Sequence, residues 1–454
     1  MIRRDALREY SRGSLWFIPA IAVLLALLVG LVLSRIDLGP TSPLAFQGTA
    51  DDARLILITI AGTMVTVIAL LLGLAVVALQ LSSTQFSPRL LRNFLRDRPN
   101  QLVLGVFVGT FAYSAGGLFQ VGISGGQRVD DYPRFAVAVA MGLLFVSLAL
   151  LVFFADHLAH SIQVDSIMRV AERNTLRVIN ELPDTGVPLP MPVGAISLPV
   201  RRSGYVQVVH LDELLAAAVR RQVHVRLRPR VGEHVVAGTT LAWVWPASRN
   251  TAGPEIATLE PILHSAVRIG FERTLEQDPG IGMRQLVDAA CKALSPAVND
   301  PYTAIQAIHH LSVLYAAMAT RQSAAGGATV AKDRSSGITV MMPSRPLAEL
   351  MTLGLGLIRR YGASEPTVIQ ALLSLLGTVT TASRDEPTTL CGIEEQVRLL
   401  VSAAERAVVE PADLILVHRE AEAVRQALEA RRVDGPGVRP DGDHVDRESD
   451  VQAG

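Results

Sequence analysis

Lysine, cysteine and charge are all scarce in this chain of 454 residues. Lys292 and Lys332 are its only lysines, which excludes a Walker A phosphate loop and leaves almost no candidate for Schiff-base chemistry. The two cysteines, Cys291 and Cys391, exclude a disulfide framework and an all-cysteine zinc site. Basic and acidic residues number 42 each, so no global positive charge favours nucleic-acid binding.

Signatures of enzyme chemistry are also missing. The sequence contains no H-E-x-x-H, no phosphate-binding loop and no dinucleotide-binding glycine pattern. Glu365 and Glu410 each precede a proline and are interpreted as helix boundaries and not as catalytic carboxylates. We therefore predict a protein without enzyme activity and without a cofactor.

Apolar residues are what the chain has in excess. Charged residues make up 19%, against about 25% in soluble domains, and the mean hydropathy is +0.34. The excess lies in four uncharged runs of roughly 20 residues, the length of a membrane-crossing helix. We predict a four-helix transmembrane domain over residues 1–155, its first run being a retained anchor. The runs cover residues 15–33, 55–81, 102–121 and 135–155.

The arginines next to these runs predict their orientation. Eight arginines lie in the N-terminal tail and in the loop between the second and third runs, against four in the other two loops. Positive charge in short loops favours the cytoplasmic side, so both chain termini are predicted to be cytoplasmic. The eight are Arg3, Arg4, Arg8, Arg12, Arg89, Arg92, Arg96 and Arg98.

The second loop also has a helical pattern. Ser87-Pro88 is typical of a helix start, and apolar residues then alternate with Arg89, Arg92 and Arg96 at helical spacing. This pattern predicts a helix at the membrane surface, with the arginines on anionic lipid headgroups. The alternative is an ordinary cytoplasmic loop.

The four runs contain no Asp, Glu, Lys, Arg or His. This argues against a proton relay or an ion-coupled carrier, while a pore lined by hydroxyl groups stays open. The candidates to face such a pore are Thr63, Thr66, Thr110 and Ser114. Their alternative role is hydrogen bonding within the helix bundle.

After the runs, the sequence predicts a cytoplasmic α+β region. A helix is expected to continue through residues 156–192, with His157 and His160 as weak metal candidates that lack a third ligand. A small β-rich half-barrel or sandwich is predicted at 193–246, with strands at 203–210 and 223–228 and a helix at 211–222 between them. Residues 254–432 are predicted to be mostly helical, with one strand at 337–342, and residues 433–454 to be disordered.

The segment 278–304 contains the most distinctive pattern of this region. Its breaks at Ser295-Pro296 and before Pro301 indicate a helix that ends and a second helix that begins with Asp300 as N-cap. One interpretation is a capped turn between helices. The other is a binding or subunit-contact site formed by Ser295, Asn299, Asp300, Tyr302 and Thr303.

Four phrases in this order resemble a bacterial family of predicted membrane proteins, catalogued as domain of unknown function number 2254. The phrases are residues 79–98, 160–164, 228–242 and 284–304. The resemblance covers about residues 10–430. It implies a four-span N-terminal half in the bacterial inner membrane and a cytoplasmic C-terminal half, but no activity. The glycine phrase at 228–242 also resembles half of a biotinyl or lipoyl domain, yet contains no lysine to accept the prosthetic group.

Two functions remain open from the sequence. One is a homo-oligomeric channel for ions or small solutes, with the cytoplasmic half as its gating or assembly domain. The other is a non-conducting scaffold or sensor, whose cytoplasmic half binds a protein or a small ligand.

Overall fold

The structure, a computed structural model, divides the chain into two compact units, Met1–Ala171 and Glu172–Gly454. The predicted headgroup arginines of the second loop and the tail beyond residue 433 lie outside the residues that it describes. Those residues are 16–36, 42–85, 98–119, 121, 132–161, 163–183, 185–247, 256–321, 328–383 and 387–433.

The first unit is a bundle of apolar helices. Its core contains Leu57, Phe107 and Val137, all of them buried. Other apolar side chains, such as Leu24 and Val152, are 68% exposed on the outside, an arrangement that suits contact with lipid tails. The helices are α1 (Phe17–Leu33), α2 (Ala50–Gln85), α3 (Arg98–Leu118) and α4 (Arg134–Ser161).

Three of these helices are long and apolar enough to cross a membrane. Their candidate spans are Ala50–Val77, Arg98–Leu118 and Arg134–His160. The first predicted span corresponds to α1, which has 17 residues. At 1.5 Å per residue α1 is about 25 Å long, a few ångströms less than a typical hydrocarbon core. The count of four spans is therefore not confirmed.

The helix that was predicted to continue from residue 156 is interrupted. Helix α4 ends at Ser161, and α5 (Val164–Glu181) begins three residues later. The amide of Gln163 bonds to the carbonyl of His160, which replaces the helical ladder by a turn. Pro183 follows α5, and the division between the two units falls within α5.

The β-structure of the second unit forms two sheets and extends beyond the predicted module at 193–246. A six-stranded sheet has the order β1-β8-β9-β4-β6-β2, and a three-stranded sheet has the order β5-β3-β7. A half-barrel is thus not confirmed. The strands are β1 (Thr185–Gly186), β2 (Ile196–Pro199), β3 (Gly204–Val209), β4 (Val223–Leu227), β5 (His234–Val235), β6 (Thr240–Pro246), β7 (Val267–Gly270), β8 (Ala328–Lys332) and β9 (Thr339–Pro343).

One apolar core joins the two sheets to the helices between their strands. It contains Val206 and Leu227 from the strands and Leu214 and Leu263 from the helices, each no more than 3% exposed. The predicted helix at 211–222 is confirmed as α6 (Leu211–Arg221), and α7 (Ile256–Ala266) precedes β7.

The described part of the second unit contains six further helices. Among the described residues, Tyr315 is the largest fully buried side chain, and its hydroxyl donates a hydrogen bond to the carbonyl of Leu350. In five of these helices the first residue is proline. The backbone N–H of this position has no partner within a helix, so proline, which lacks the N–H, costs no hydrogen bond there. The helices are α8 (Pro279–Ala293), α9 (Pro301–Arg321), α10 (Leu347–Gly362), α11 (Pro366–Ala382), α12 (Pro387–Ala407) and α13 (Pro411–Val433).

Candidate functional site

A partly enclosed cavity of about 90 Å³ lies within the second unit. The residues after α5, the β4–β5 loop, the start of α8, the end of α9, strands β8 and β9 and the start of α10 all contribute to its wall. The lining residues are Leu182, Pro183, Thr185, Arg230, Val231, Gln277, Asp278, Pro279, Gly280, Met318, Arg321, Thr329, Met342, Pro343, Ser344, Arg345 and Leu350.

Asp278 is the buried carboxylate of this cavity, with 4% of its surface exposed. It is the N-cap of α8, and its Oδ1 accepts a hydrogen bond of 3.1 Å from the amide of Gly280. Its Oδ2 lies 2.8 Å from Nε and 2.6 Å from Nη2 of Arg273. Burial raises the pKa of Asp278, while the Arg273 guanidinium acts in the opposite direction.

Gly232 allows the β4–β5 loop to approach this carboxylate. Its φ is +82°, in the left-handed region, and a Cβ at this position would lie 2.1 Å from Oδ2 of Asp278. Its amide donates to the carbonyl of Val206 on β3, at 2.8 Å. Only glycine meets both requirements without strain, since it has no Cβ. The cavity is therefore where the glycine phrase at 228–242 meets the start of the segment 278–304.

Three arginines, Arg230, Arg321 and Arg345, also line the cavity. Arg230 forms a two-pronged ion pair with Glu349, with distances of 2.7 Å and 3.1 Å. Nε of Arg345 lies 3.9 Å from Oε1 of Glu349. Nη2 of Arg321 donates a hydrogen bond to the carbonyl of Leu182. Burial lowers the pKa of Arg345, and the nearby Arg273 and Arg230 lower it further, while Asp278 raises it.

The arrangement is suited to binding a small molecule. Apolar side chains such as Val231, Met318 and Met342 form much of the wall, and a few charged and polar groups converge on it, as in typical small-molecule sites. Within the described ranges, no group of three or more His, Cys, Asp or Glu residues is placed to hold a metal ion.

Helix α5 is held against the helices that flank the cavity. His310 on α9 hydrogen-bonds through Nδ1 to Oε2 of Glu172. Gly282 on α8 lies so close to Thr175 that a Cβ there would be 1.9 Å from the Thr175 hydroxyl oxygen. Leu182 and Pro183, which directly follow α5, then form part of the cavity wall.

The four residues predicted to face a pore do not share one surface in the single chain. Thr63 and Thr66 are exposed on α2, and their hydroxyls donate to the carbonyls of Thr59 and Gly62. Thr110 and Ser114 are buried in the bundle. The Thr110 hydroxyl lies 3.1 Å from that of Ser147 on α4, and the Ser114 hydroxyl has no partner among the described residues.

The residues before α9, for which the sequence left a capped turn and a binding or subunit-contact site open, lie in a capped turn on the surface. Asp300 accepts bonds from the amide and the hydroxyl of Thr303, at 3.1 Å and 2.6 Å, and these bonds lower its pKa. Asn299 has a φ of +49°, the Ser295 hydroxyl donates to the carbonyl of Lys292, and the side chain of Tyr302 points outward, 82% exposed.

The two histidines after the fourth predicted span have local partners. The His157 ring stacks on Phe153, with 5.7 Å between ring centroids. Nδ1 of His160 lies 2.9 Å from the carbonyl oxygen of Asp156, one turn earlier in α4.

Sequence reasoning did not identify the cavity. Its one local signal was Asp278-Pro279, the N-cap and first residue of a helix, in a segment that was already singled out. The pair of Arg230 with Glu349 joins residues 119 positions apart, and no pattern in a single sequence indicates it.

Comparison with known proteins places the chain among predicted membrane proteins. A sequence profile described as Predicted membrane protein (DUF2254) matches residues 12–378. Uncharacterised proteins of Mycobacterium bovis and Mycobacterium tuberculosis are each 40% identical over 440 residues, which cover 94% of this chain and 83% of the relative. No solved structure matches the chain. The match over most of its length shows that this chain belongs to the DUF2254 family of predicted membrane proteins.

Proposed function

We propose that this protein is a membrane-anchored sensor without enzyme activity, whose second unit binds a small molecule in the cavity beside Asp278. The observation that carries the proposal is the composition of the cavity wall. The wall contains charged side chains that converge on the cavity, and it also contains Leu182 and Pro183, the two residues that follow α5. A ligand there would touch the residues that directly follow α5, the helix in which the division between the two units falls.

The contacts of α5 support a role in transmitting ligand binding. Arg321 lines the cavity and also bonds to the carbonyl of Leu182. A ligand that attracts the Arg321 guanidinium would compete with this bond and so change how the end of α5 is held. Binding can shift a conformational equilibrium only through such differential contacts.

Retention of small molecules tests the proposal. The full chain in nanodiscs is incubated with a polar metabolite extract and repurified, and the retained compounds are identified by mass spectrometry. We expect Val231→Trp, which fills the cavity, to lose the compound that the wild type retains. Val236→Trp is the matched control, because Val236 is 52% exposed in the same β4–β6 region. Equal retention by both variants, or none by the wild type, contradicts the proposal.

A homo-oligomeric channel is the second candidate function. Thr59, Thr63 and Thr66 form an exposed row on α2, and such a row could face a shared axis if several copies assemble. Oligomeric state in nanodiscs and ion flux in liposomes test this candidate together. A monomer or simple dimer without flux contradicts it, and flux that falls in Thr63→Val supports it.

We also propose four spans in the bacterial inner membrane, with both termini in the cytoplasm and Arg89, Arg92 and Arg96 near anionic headgroups. The arginine distribution and the 17 apolar residues of α1, at the lower limit for a span, support this topology. Cys391 provides a test because it is exposed on the second unit. A membrane-impermeant maleimide should label it only after spheroplasts are permeabilised, and labelling of intact spheroplasts would contradict the topology.

A further inference from the structure

A groove in the first unit lies between α2, α4 and the loop that precedes α2. Its volume is about 770 Å³, and it is open along one side. The loop, the first turns of α2 and the first half of α4 form its walls, and all of them belong to the first unit. The groove is separate from the cavity beside Asp278, so an inference about it does not depend on the proposed sensor function.

Small residues on consecutive turns of α4 make its surface concave here. They are Ala138 and Gly142, and a Cβ at Gly142 would meet no atom within 4 Å. The apolar side chains of Leu44, Leu55 and Phe145 border this space, and each is 65% exposed. Because α2 and α4 are both candidate membrane spans, apolar groups exposed on them suit contact with lipid tails.

The depth of the groove corresponds to part of one lipid leaflet. Its lining on α4 runs from Ala138 to Phe145, which is about 10 Å at a rise of 1.5 Å per residue. The hydrocarbon core is about 30 Å thick, so one leaflet contributes roughly 15 Å. Asp52 and Ala138 lie near the start of their candidate spans, so the groove begins close to the membrane boundary. It therefore has the length and position for the upper part of one acyl chain.

Hydrogen bonds hold the loop wall of the groove against the start of α4. Nη1 of Arg134 donates to the carbonyls of Phe46 and Gly48, at 2.9 Å and 3.1 Å. The amide of Phe46 donates in return to the carbonyl of Arg134, at 3.2 Å, and the Tyr132 hydroxyl donates to the carbonyl of Gly48. These contacts fix the loop without a ligand, so the groove is preformed.

Asp52 is the one charged residue among those that line the groove. Its Oδ2 accepts hydrogen bonds from the amide and the hydroxyl of Thr49, at 2.9 Å and 2.7 Å. Its Oδ1 accepts none within the described ranges, and the side chain is exposed. Its charged neighbours Asp51 and Arg54 do not line the groove. A carboxylate oxygen with no partner at the mouth is complementary to a primary ammonium group, whose N–H can donate a charge-assisted hydrogen bond.

We propose that this groove binds a phospholipid with a primary ammonium headgroup, such as phosphatidylethanolamine. The upper part of one acyl chain lies against α4 between Leu55 and Phe145, and the ammonium group donates to Oδ1 of Asp52. Phosphatidylcholine has a cationic group but no N–H to donate, and phosphatidylglycerol has no cationic group. The groove should therefore prefer phosphatidylethanolamine to both.

Native mass spectrometry of the full chain tests the headgroup. The protein is delipidated in a mild detergent and titrated with dioleoyl phosphatidylethanolamine, phosphatidylcholine or phosphatidylglycerol, and the Kd of the first bound lipid is measured. We expect phosphatidylethanolamine to bind about threefold to tenfold more tightly than the other two. Asp52→Asn keeps an oxygen acceptor for Thr49 and should abolish this preference. Asp51→Asn is the matched control, because it removes the same charge one residue away from the lining and should keep the preference.

Filling the groove tests its location. Gly142→Trp places a ring in the space beside α4, and we expect the first lipid to bind about tenfold more weakly or not at all. Gly73→Trp is the matched control, because Gly73 also lies in a candidate span with no atom within 4 Å of a Cβ, but does not line the groove. If Gly142→Trp does not fold, Ala138→Phe decides, since it fills the same groove from one turn earlier.

Three results would overturn the inference. Equal Kd values of the wild type for the three lipids would show that Asp52 does not select an ammonium group. Equal lipid binding by Gly142→Trp and Gly73→Trp would show that the lipid binds elsewhere. A dimer that dissociates in Gly142→Trp, with lipid binding unchanged, would identify the groove as a contact between two copies of this chain. None of these results changes the retention of small molecules by the second unit, so the sensor proposal is tested separately.

Discussion

Substitution of Gly232 by alanine should destabilise the second unit through two separate effects. An alanine with a φ of +82° costs roughly 1–2 kcal/mol, because its Cβ crowds the backbone in the left-handed region. The Cβ would also overlap Oδ2 of Asp278 at 2.1 Å, and that carboxylate is fixed by Gly280 and Arg273. Moving it weakens the cap of α8, worth about 1 kcal/mol, so we expect a total loss of about 2–3 kcal/mol in the free energy of unfolding.

Gly238 provides a matched control in the same β4–β6 region. Its φ is +86°, but a Cβ there meets no atom within 4 Å, so Gly238→Ala should cost only the backbone contribution of roughly 1–2 kcal/mol. Urea titration followed by tryptophan fluorescence measures both variants, because two of the three tryptophans, Trp243 and Trp245, lie on β6. Equal destabilisation of the two variants would refute the close approach of Gly232 to Asp278.

Two further substitutions can be measured in the same assay. Asp300→Ala removes the bonds to Thr303 and should cost about 0.5–2 kcal/mol. Because the pKa of Asp300 is lowered in the folded protein, its ionised form stabilises the fold above pH 3.8. The difference in the free energy of unfolding between wild type and Asp300→Ala should therefore shrink as the pH falls below that value. A difference that does not change with pH would contradict this cap. Gly282→Ala should lower the free energy of unfolding by about 1–3 kcal/mol, because its Cβ would overlap Thr175. Gly356→Ala is the control: a Cβ there meets open space, so this alanine should be neutral or stabilising. Equal effects of these two alanines would show that α5 does not pack closely on α8.

The apolar helices were predictable because lipid selects long uncharged runs whatever the rest of the fold does. Three of the four predicted runs correspond to the candidate spans in α2, α3 and α4. Helix boundaries were less predictable, since α2 continues to Gln85 and α4 extends to Ser161 before the chain turns. Local hydrogen bonding decides where a helix ends, and hydropathy alone does not report it.

In the second unit, strands with clear alternation were predicted, while their partners were not. The expected strands at 203–210, 223–228 and 337–342 are confirmed as β3, β4 and β9. Strands β7 and β8 have only four and five residues, and β7 falls in a segment that was predicted to be helical. Such short strands are stable only through pairing, here of β7 with β3 and of β8 with β9, and pairing depends on the tertiary structure.

The candidate site shows where a single sequence stops being informative. Sequence alone determined the membrane character, the scarcity of lysine and cysteine, and the capping pattern at Asp300, because each depends on composition or on neighbours a few residues apart. Only the tertiary structure decided that Asp278 is buried beside Gly232 and that Arg230 pairs with Glu349. The cavity results from bringing the residues after α5, the β4–β5 loop, α8, α9 and α10 together, and this convergence depends on packing between residues that are distant in the chain.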